Sequence, residues 1–174
     1  ARHLALFKGV YTHFDSIARR YQGGSTNWLS VYSDTPWYFI SLDVIVMISD
    51  RAFLQFVEQP LRDMCAFLGR NLFHLDGENA ARHLDRLLAL PEITGIQVQC
   101  TPQMEEPVKF WVPHLKRILQ AGKTAWIYAQ KPEEIQLLMD QLPPEGLYIK
   151  TWCETEKDMD LLQRRVLDFY GETE

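Results

Sequence analysis

The sequence predicts an α/β fold with a mainly parallel sheet. Three observations support this class. Short apolar runs alternate with helical patterns from about residue 70 to residue 170. A turn or glycine separates most runs from the helices that follow them, as in βα units. The chain has 174 residues, which at about 31 residues per unit holds between five and six such units and is long enough for one sizeable core. We therefore expect one domain spanning residues 1–174.

The composition excludes several function classes. The formal net charge is −5 and no Lys/Arg-rich block occurs, so neither nucleic acid nor an anionic membrane is an expected partner. No apolar run reaches the length of a membrane span, and the N-terminus lacks a signal-peptide pattern. These features predict a cytoplasmic protein. The three cysteines have no CxxC spacing, which argues against a disulfide framework. The chain starts at Ala1 inside a helical pattern, which predicts a piece of something longer.

The first half of the chain has a less regular pattern. Helical spacing predicts a helix over residues 2–21 that Gly23 and Gly24 terminate. Residues 28–32 are predicted to form a strand, and the aromatic-rich passage that follows fits no simple alternation. Ser49 is a suitable N-cap for the next helix, in which Pro60 is expected to produce a kink.

The second half repeats one pattern of apolar run, turn and helix. Glycines stand where helices end, and Pro132 stands where a helix begins. This pattern predicts parallel strands joined by right-handed crossovers. The four predicted units are NLFHLDG with a helix at about 78–90, TGIQVQ with a helix ending at Ala121, TAWIYA with a helix from Pro132, and LYIKTWC with a helix at about 155–170.

Length leaves two parallel architectures open. A (β/α)8 TIM barrel uses about 250 residues, or about 31 per unit, so this chain has too few strands to close one. Either the sheet is an open, doubly wound one, or the chain is a partial TIM barrel consisting of the C-terminal four to five units and truncated at its N-terminus. A partial barrel exposes a sheet edge, which predicts a homo-oligomer.

Polar residues end two of the predicted strands. Leu72, His74 and Asp76 share one strand face, and His74 and Asp76 lie at the strand's C-terminal end, where parallel α/β proteins place their sites. Cys153 ends the last predicted strand in the same way. Imidazole, carboxylate and thiolate form a possible zinc ligand set. The alternative is structural, because a buried His–Asp pair can bond internally and cysteine packs as a small hydrophobe.

Asp43 and Gln97 are the candidate substrate-binding residues. Gln97 shares a strand face with Gln99, and inward amides suit a polar pocket, although a solvated edge strand gives the same pattern. Asp43 is either a pocket acid or a cap for the following helix. The second His-Leu-Asp triplet, His83 to Asp85, is predicted to lie on a solvated helix face. The sequence contains no phosphate-binding glycine loop, no GxSxG and no HExxH.

The motifs His74–Gly77, His83–Asp85, Gly95–Gln97 and Ala121–Lys123 occur in an order that resembles the C-terminal half of the uroporphyrinogen decarboxylase-like superfamily. That superfamily includes corrinoid-dependent methyltransferases and is related to cobalamin-independent methionine synthase. The resemblance extends from about Gly23 to Cys153. It implies a (β/α)8 barrel of which this chain supplies the last four or five units.

The resemblance also implies a chemistry. Methyltransferase members bind zinc with a His-x-Cys and a further Cys, and the metal activates a thiol that receives a methyl group. His74 matches the histidine, Asp76 stands where the first cysteine would be, and Cys153 matches the last. The implied function is zinc-dependent methyl transfer from a corrinoid donor, with a corrinoid protein as partner. Decarboxylation is less expected, because the family's substrate-binding arginines lie in units absent from this chain. The alternative is a catalytically inert partial barrel or a small-molecule-binding module.

Overall fold

A computed structural model describes residues 2–101 and 105–171. Its centre is a five-stranded sheet in which every strand pair is parallel and the strands follow one another in chain order, β3-β4-β5-β6-β7. A separate antiparallel hairpin precedes it. The strands are β1 (Ser25–Thr26), β2 (Tyr32–Ser33), β3 (Trp37–Ser41), β4 (Arg70–Asp76), β5 (Gly95–Gln99), β6 (Thr124–Tyr128) and β7 (Leu147–Lys150).

Helices alternate with the sheet strands. Two 3-10 helices, Asp43–Met47 and Glu78–His83, follow β3 and β4, and a π-helical segment, Phe53–Val57, lies within the β3–β4 connection. The α-helices are α1 (Arg2–Gln22), α2 (Asp50–Ala52), α3 (Glu58–Phe67), α4 (Leu84–Leu88), α5 (Pro107–Gln120), α6 (Pro132–Gln141) and α7 (Glu156–Tyr170). The predicted α/β class and the parallel sheet are confirmed.

The two faces of the sheet have different coverings. Side chains such as Phe73, Ile96 and Ile127 pack with residues of the connecting helices in one large core. Phe39, Leu72 and Trp126 point to the opposite side, which we call the helix-free face, and their cluster includes no helical residue among the described parts of the chain. A doubly wound sheet carries helices on both faces. Consecutive strand order with helices on one side is instead the arrangement found along a barrel wall.

The loop between β1 and β2 covers part of the helix-free face. Leu29 is 0% exposed and packs with Trp37, Leu72 and Trp126. The predicted strand at 28–32 is therefore wrong over residues 28–31, which form a loop in which Ser30 has a positive φ of 63°, whereas Tyr32 begins β2. Leu29 is an apolar residue buried from a loop, which residue type alone does not distinguish from a buried strand residue.

The predicted helix after Ser49 is correct at its start. The Ser49 side chain accepts a hydrogen bond from the Ala52 amide. The helix then widens into the π-helical segment before α3 begins, so the irregularity precedes Pro60. Pro60 follows this segment within one continuous run of helix, residues 50–67, where its missing amide proton removes one intrahelical hydrogen bond.

The outer edge of β3 is partly covered by α1. The Tyr11 hydroxyl is 2.7 Å from the Trp37 amide and 2.9 Å from its carbonyl, so it both accepts from and donates to this edge. Among the described residues, no helix is long and apolar enough to cross a membrane.

Candidate metal site at the ends of strands β3 and β4

Strand β4 places His74 and Asp76 on the helix-free face near its C-terminal end. Pairing aligns His74 with Ser41 of β3 and with Gln97 of β5, so these three residues form one row across the sheet. The predicted common face of His74 and Asp76 follows from this register. His74 is half-buried and Asp76 is exposed.

Asp43 completes a group of three potential ligands. It is the first residue of the 3-10 helix after β3, and its side chain accepts a hydrogen bond from Ser41. One ligand atom each from Asp43, His74 and Asp76 lie within 4.8 Å of one another. The sequence predicted Asp43 as a substrate-binding acid, and its proximity to the two predicted ligands adds a second possible role.

Gln97 orients the imidazole of His74. The Gln97 amide nitrogen is 2.9 Å from the Val98 carbonyl and 3.2 Å from Gln99 Oε1, so it acts as a donor. Gln97 Oε1 is then an acceptor, and it contacts His74 Nδ1. The proton of a neutral imidazole therefore belongs on Nδ1, and Nε2 keeps its lone pair. Gln97 is 0% exposed, and its predicted contact with substrate stays a prediction.

Aromatic and loop residues border the site. The Phe39 ring is 5.0 Å from that of His74, and Trp28 lies 5.1 Å from Phe39 in an edge-on arrangement. The loop that carries Trp28 also contacts β7, the strand at the opposite edge of the sheet. Lys150 Nζ donates a hydrogen bond to the Trp28 carbonyl at 3.0 Å. The site thus has an apolar wall beside its charged ligands.

The three potential ligands fit a divalent cation. Two carboxylates and one neutral imidazole supply oxygen and nitrogen donors, which zinc accepts. Bonds of about 2.0–2.2 Å keep two ligands of one zinc ion within about 4.4 Å, so binding would require the exposed Asp43 and Asp76 side chains to rotate slightly toward the ion. The hydrogen bond from His74 to Gln97 is the type of outer contact that fixes a metal-binding histidine.

The cysteines lie outside this group. Within residues 2–101 and 105–171, the potential ligands that cluster are Asp43, His74 and Asp76, and Cys153 is not among them. Cys153 follows β7 and is half-buried, and its role as a ligand stays a prediction. Burial raises the pKa of Cys65 to about 12 and that of Cys100 to about 11, so both are protonated at neutral pH.

The second His-Leu-Asp triplet differs from its prediction. His83 is 0% exposed and stacks on Phe53, with ring centroids 5.2 Å apart. The prediction of a solvated face is wrong for this residue, although the Asp85 side chain is 77% exposed. The repeated His-Leu-Asp triplet was the one sequence feature that drew attention to His83. Helical spacing alone did not show that this histidine is buried.

Comparisons with known proteins add little to this site. No family model matches the chain, and no curated protein matches it. Four chains of solved structures match. One is titled "Crystal structure of NadR protein in complex with NR"; it is 13% identical, and the match covers 76% of this chain and 40% of that one with a TM-score of 0.24. A likeness this low carries no functional argument, and the chain spans less than half of that structure's length.

Proposed function

We propose that the site binds zinc and that it serves methyl transfer to a thiol, with a corrinoid as methyl donor. The observation that carries the proposal is the convergence of Asp43, His74 and Asp76. Bound zinc would lower the pKa of an incoming thiol, so that the thiol reacts as thiolate. The type of reaction comes from the resemblance to the uroporphyrinogen decarboxylase-like superfamily.

The residues of the chain have separable tasks in this proposal. Asp43 and Asp76 supply negative charge, and His74 supplies a neutral nitrogen that Gln97 orients. Phe39 and Trp28 border the site on one side and supply an apolar surface beside the ligands. Cys153 is the remaining candidate ligand. Zinc binding by Cys153→Ser tests whether its sulfur belongs to the zinc ligands.

Zinc titration tests the metal site directly. We expect the wild-type chain to bind zinc and His74→Ala to lose that binding, because the variant removes the only nitrogen of the group. His13→Ala is the matched control, since His13 is exposed on α1. Weaker binding by Cys153→Ser would place the thiolate in the ligand set. Absence of zinc binding in the wild-type chain would remove the proposal.

Methyl transfer is measured separately, with methylcobalamin and a simple thiol as substrates. The corrinoid absorbance reports loss of the methyl group. We expect turnover with added zinc in the wild-type chain and none in His74→Ala. Zinc binding without turnover would leave a metal-binding module and contradict the catalytic part of the proposal.

A second candidate function is supported by exposed apolar side chains on α1, the helix beside the β3 edge of the sheet. Leu6, Phe14 and Tyr21 of α1 are 65%, 64% and 80% exposed, an arrangement that favours association with a second copy. This function is that of a partial barrel that associates to cover its edge. Light scattering should then give a mass above 20.4 kDa that Phe14→Glu lowers. A wild-type chain that is strictly monomeric contradicts this candidate.

A further inference from the structure

The segment after β4 contacts the segment after β3 through two neighbouring residues, Arg82 and His83. Both lie at the end of the 3-10 helix Glu78–His83, and His83 opens the second His-Leu-Asp triplet. Both contact the 3-10 helix Asp43–Met47, whose first residue belongs to the candidate metal site.

Arg82 binds the C-terminal end of that helix. Its Nη2 is 3.2 Å from the carbonyl oxygen of Ile45, 2.7 Å from that of Val46 and 2.9 Å from that of Ile48. Carbonyls at the end of a helix lack partners within the helix, and a cationic side chain is favourable there. One guanidinium nitrogen thus lies within hydrogen-bond distance of three carbonyls at and just after the end of this helix.

His83 makes a second contact with the same turn. Its Nε2 is 3.0 Å from the Ile45 carbonyl oxygen, and its Nδ1 is 3.4 Å from Asp50 Oδ1. Asp50 also accepts a hydrogen bond from Arg86 at 3.1 Å. Stacking on Phe53 fixes the plane of the buried ring. His83 is therefore anchored in the core beside the Ile45 carbonyl and beside Arg82, whose Nε lies 3.2 Å from His83 Nε2.

Asp43 needs this support more than the other two ligands do. His74 and Asp76 are fixed by the pairing of β4 with its neighbours, whereas Asp43 is exposed and lies on a five-residue helix. A 3-10 helix rises about 2.0 Å per residue. A shift by one position would therefore move Asp43 by about the length of a zinc–oxygen bond.

We propose that Arg82 and His83 are positioning residues that place Asp43 beside His74 and Asp76. The inference rests on the proposed metal site. The first His-Leu-Asp triplet then supplies two ligands, His74 and Asp76, and the second triplet helps to position the third ligand, Asp43. The contact of these residues with Asp43 is indirect and runs through the backbone of the helix.

A double-mutant cycle with zinc alone as the probe tests the inference. We expect Arg82→Met to weaken zinc binding by about 10–100-fold, the usual effect of losing an outer-shell contact, and Arg82→Lys to weaken it less. Arg51→Met is the matched control, because Arg51 is exposed on α2. In an Asp43→Asn background, Arg82→Met should have no further effect, since it acts through Asp43. Circular dichroism identifies variants that do not fold, and Arg82→Lys then replaces Arg82→Met in the cycle.

Two outcomes would overturn the inference. An equal loss of zinc affinity in both backgrounds would mean that Arg82 acts on the fold and not on Asp43. If the wild-type chain binds no zinc, the proposed function fails, and amide hydrogen exchange still tests the positioning. Arg82→Met should then accelerate exchange in residues 43–48 and leave β5 unchanged; unchanged protection in residues 43–48 would overturn the inference.

Discussion

The centre and the margin of this sheet are covered to very different extents. Four of the five residues of β5 are buried, and α5 behind it contributes five buried residues. At the margins, α1 has 21 residues and α7 has 15, yet no residue within Arg2–Gln22 or Glu156–Tyr170 is buried. The length of a helix in this protein therefore does not indicate how many buried residues it contributes to the core. A parallel strand needs cover on both sides, and only the central units receive it from this chain alone.

The same truncation placed in both regions should show the largest difference. Phe73 of β4 is 0% exposed and Phe14 of α1 is 64% exposed. Phe73→Ala should lower the free energy of unfolding by about 3–5 kcal/mol, because it leaves a cavity in the core. Phe14→Ala should change it by less than about 0.5 kcal/mol. Urea denaturation measures both, and similar losses would contradict the comparison.

Glycine-to-alanine changes should lower the stability of the fold at the centre of the sheet and raise it at the margin. A Cβ on Gly95 of β5 would lie 2.6 Å from Leu72 Cδ2 and 3.1 Å from the Thr124 carbonyl oxygen, whereas one on Gly9 of α1 meets nothing within 4 Å. Gly95→Ala should destabilise the fold by about 1–3 kcal/mol through overpacking. Gly9→Ala should stabilise it by up to about 1 kcal/mol through helix propensity. The unfolding temperature of each variant shows whether it is stabilised or destabilised. A change in the same direction for both variants would contradict the difference in packing between the two regions.

Thiol reactivity should give the smallest effect, one on rate and not on stability. Burial raises the pKa of Cys100, at the end of β5, to about 11. At pH 8 about one thousandth of this thiol is then thiolate, the form that reacts. Alkylation of Cys100 in the folded chain should therefore be slow at pH 8, accelerate as the pH rises toward 11, and become fast in denaturant. Mass spectrometry after timed labelling measures it, and fast labelling at pH 8 would show that the end of β5 is open.

The sequence predicted the covered part of the fold better than the rest. The four runs that contain β4, β5, β6 and β7 were recognisable because buried parallel strands are continuous apolar segments between turn signals. Strand β3 was not separated from its surroundings, since Pro36 and a dense aromatic run conceal its limits. The strand predicted at 28–32 is wrong over residues 28–31, because the apolar Leu29 is buried from a loop and its residue type does not distinguish that loop from a strand.

The sequence predicted the types of ligand in the candidate site better than it predicted which residues come together. His74 and Asp76 could be paired from strand alternation alone, which is local. Asp43 was selected as a pocket acid, but its approach to His74 depends on how the β3–β4 connection packs. That packing depends on Arg82 and His83, whose contacts lie 34 to 38 residues away in the chain. Such contacts have no signature in residue spacing.

The buried Leu29 also bears on how this sheet could be extended. In a closed eight-stranded barrel, side chains from all strands fill the interior in layers. In this structure Leu29, a loop residue, packs with Trp37 and Trp126 on the helix-free face. If further strands closed the sheet into a barrel, their side chains and that of Leu29 would compete for the same space.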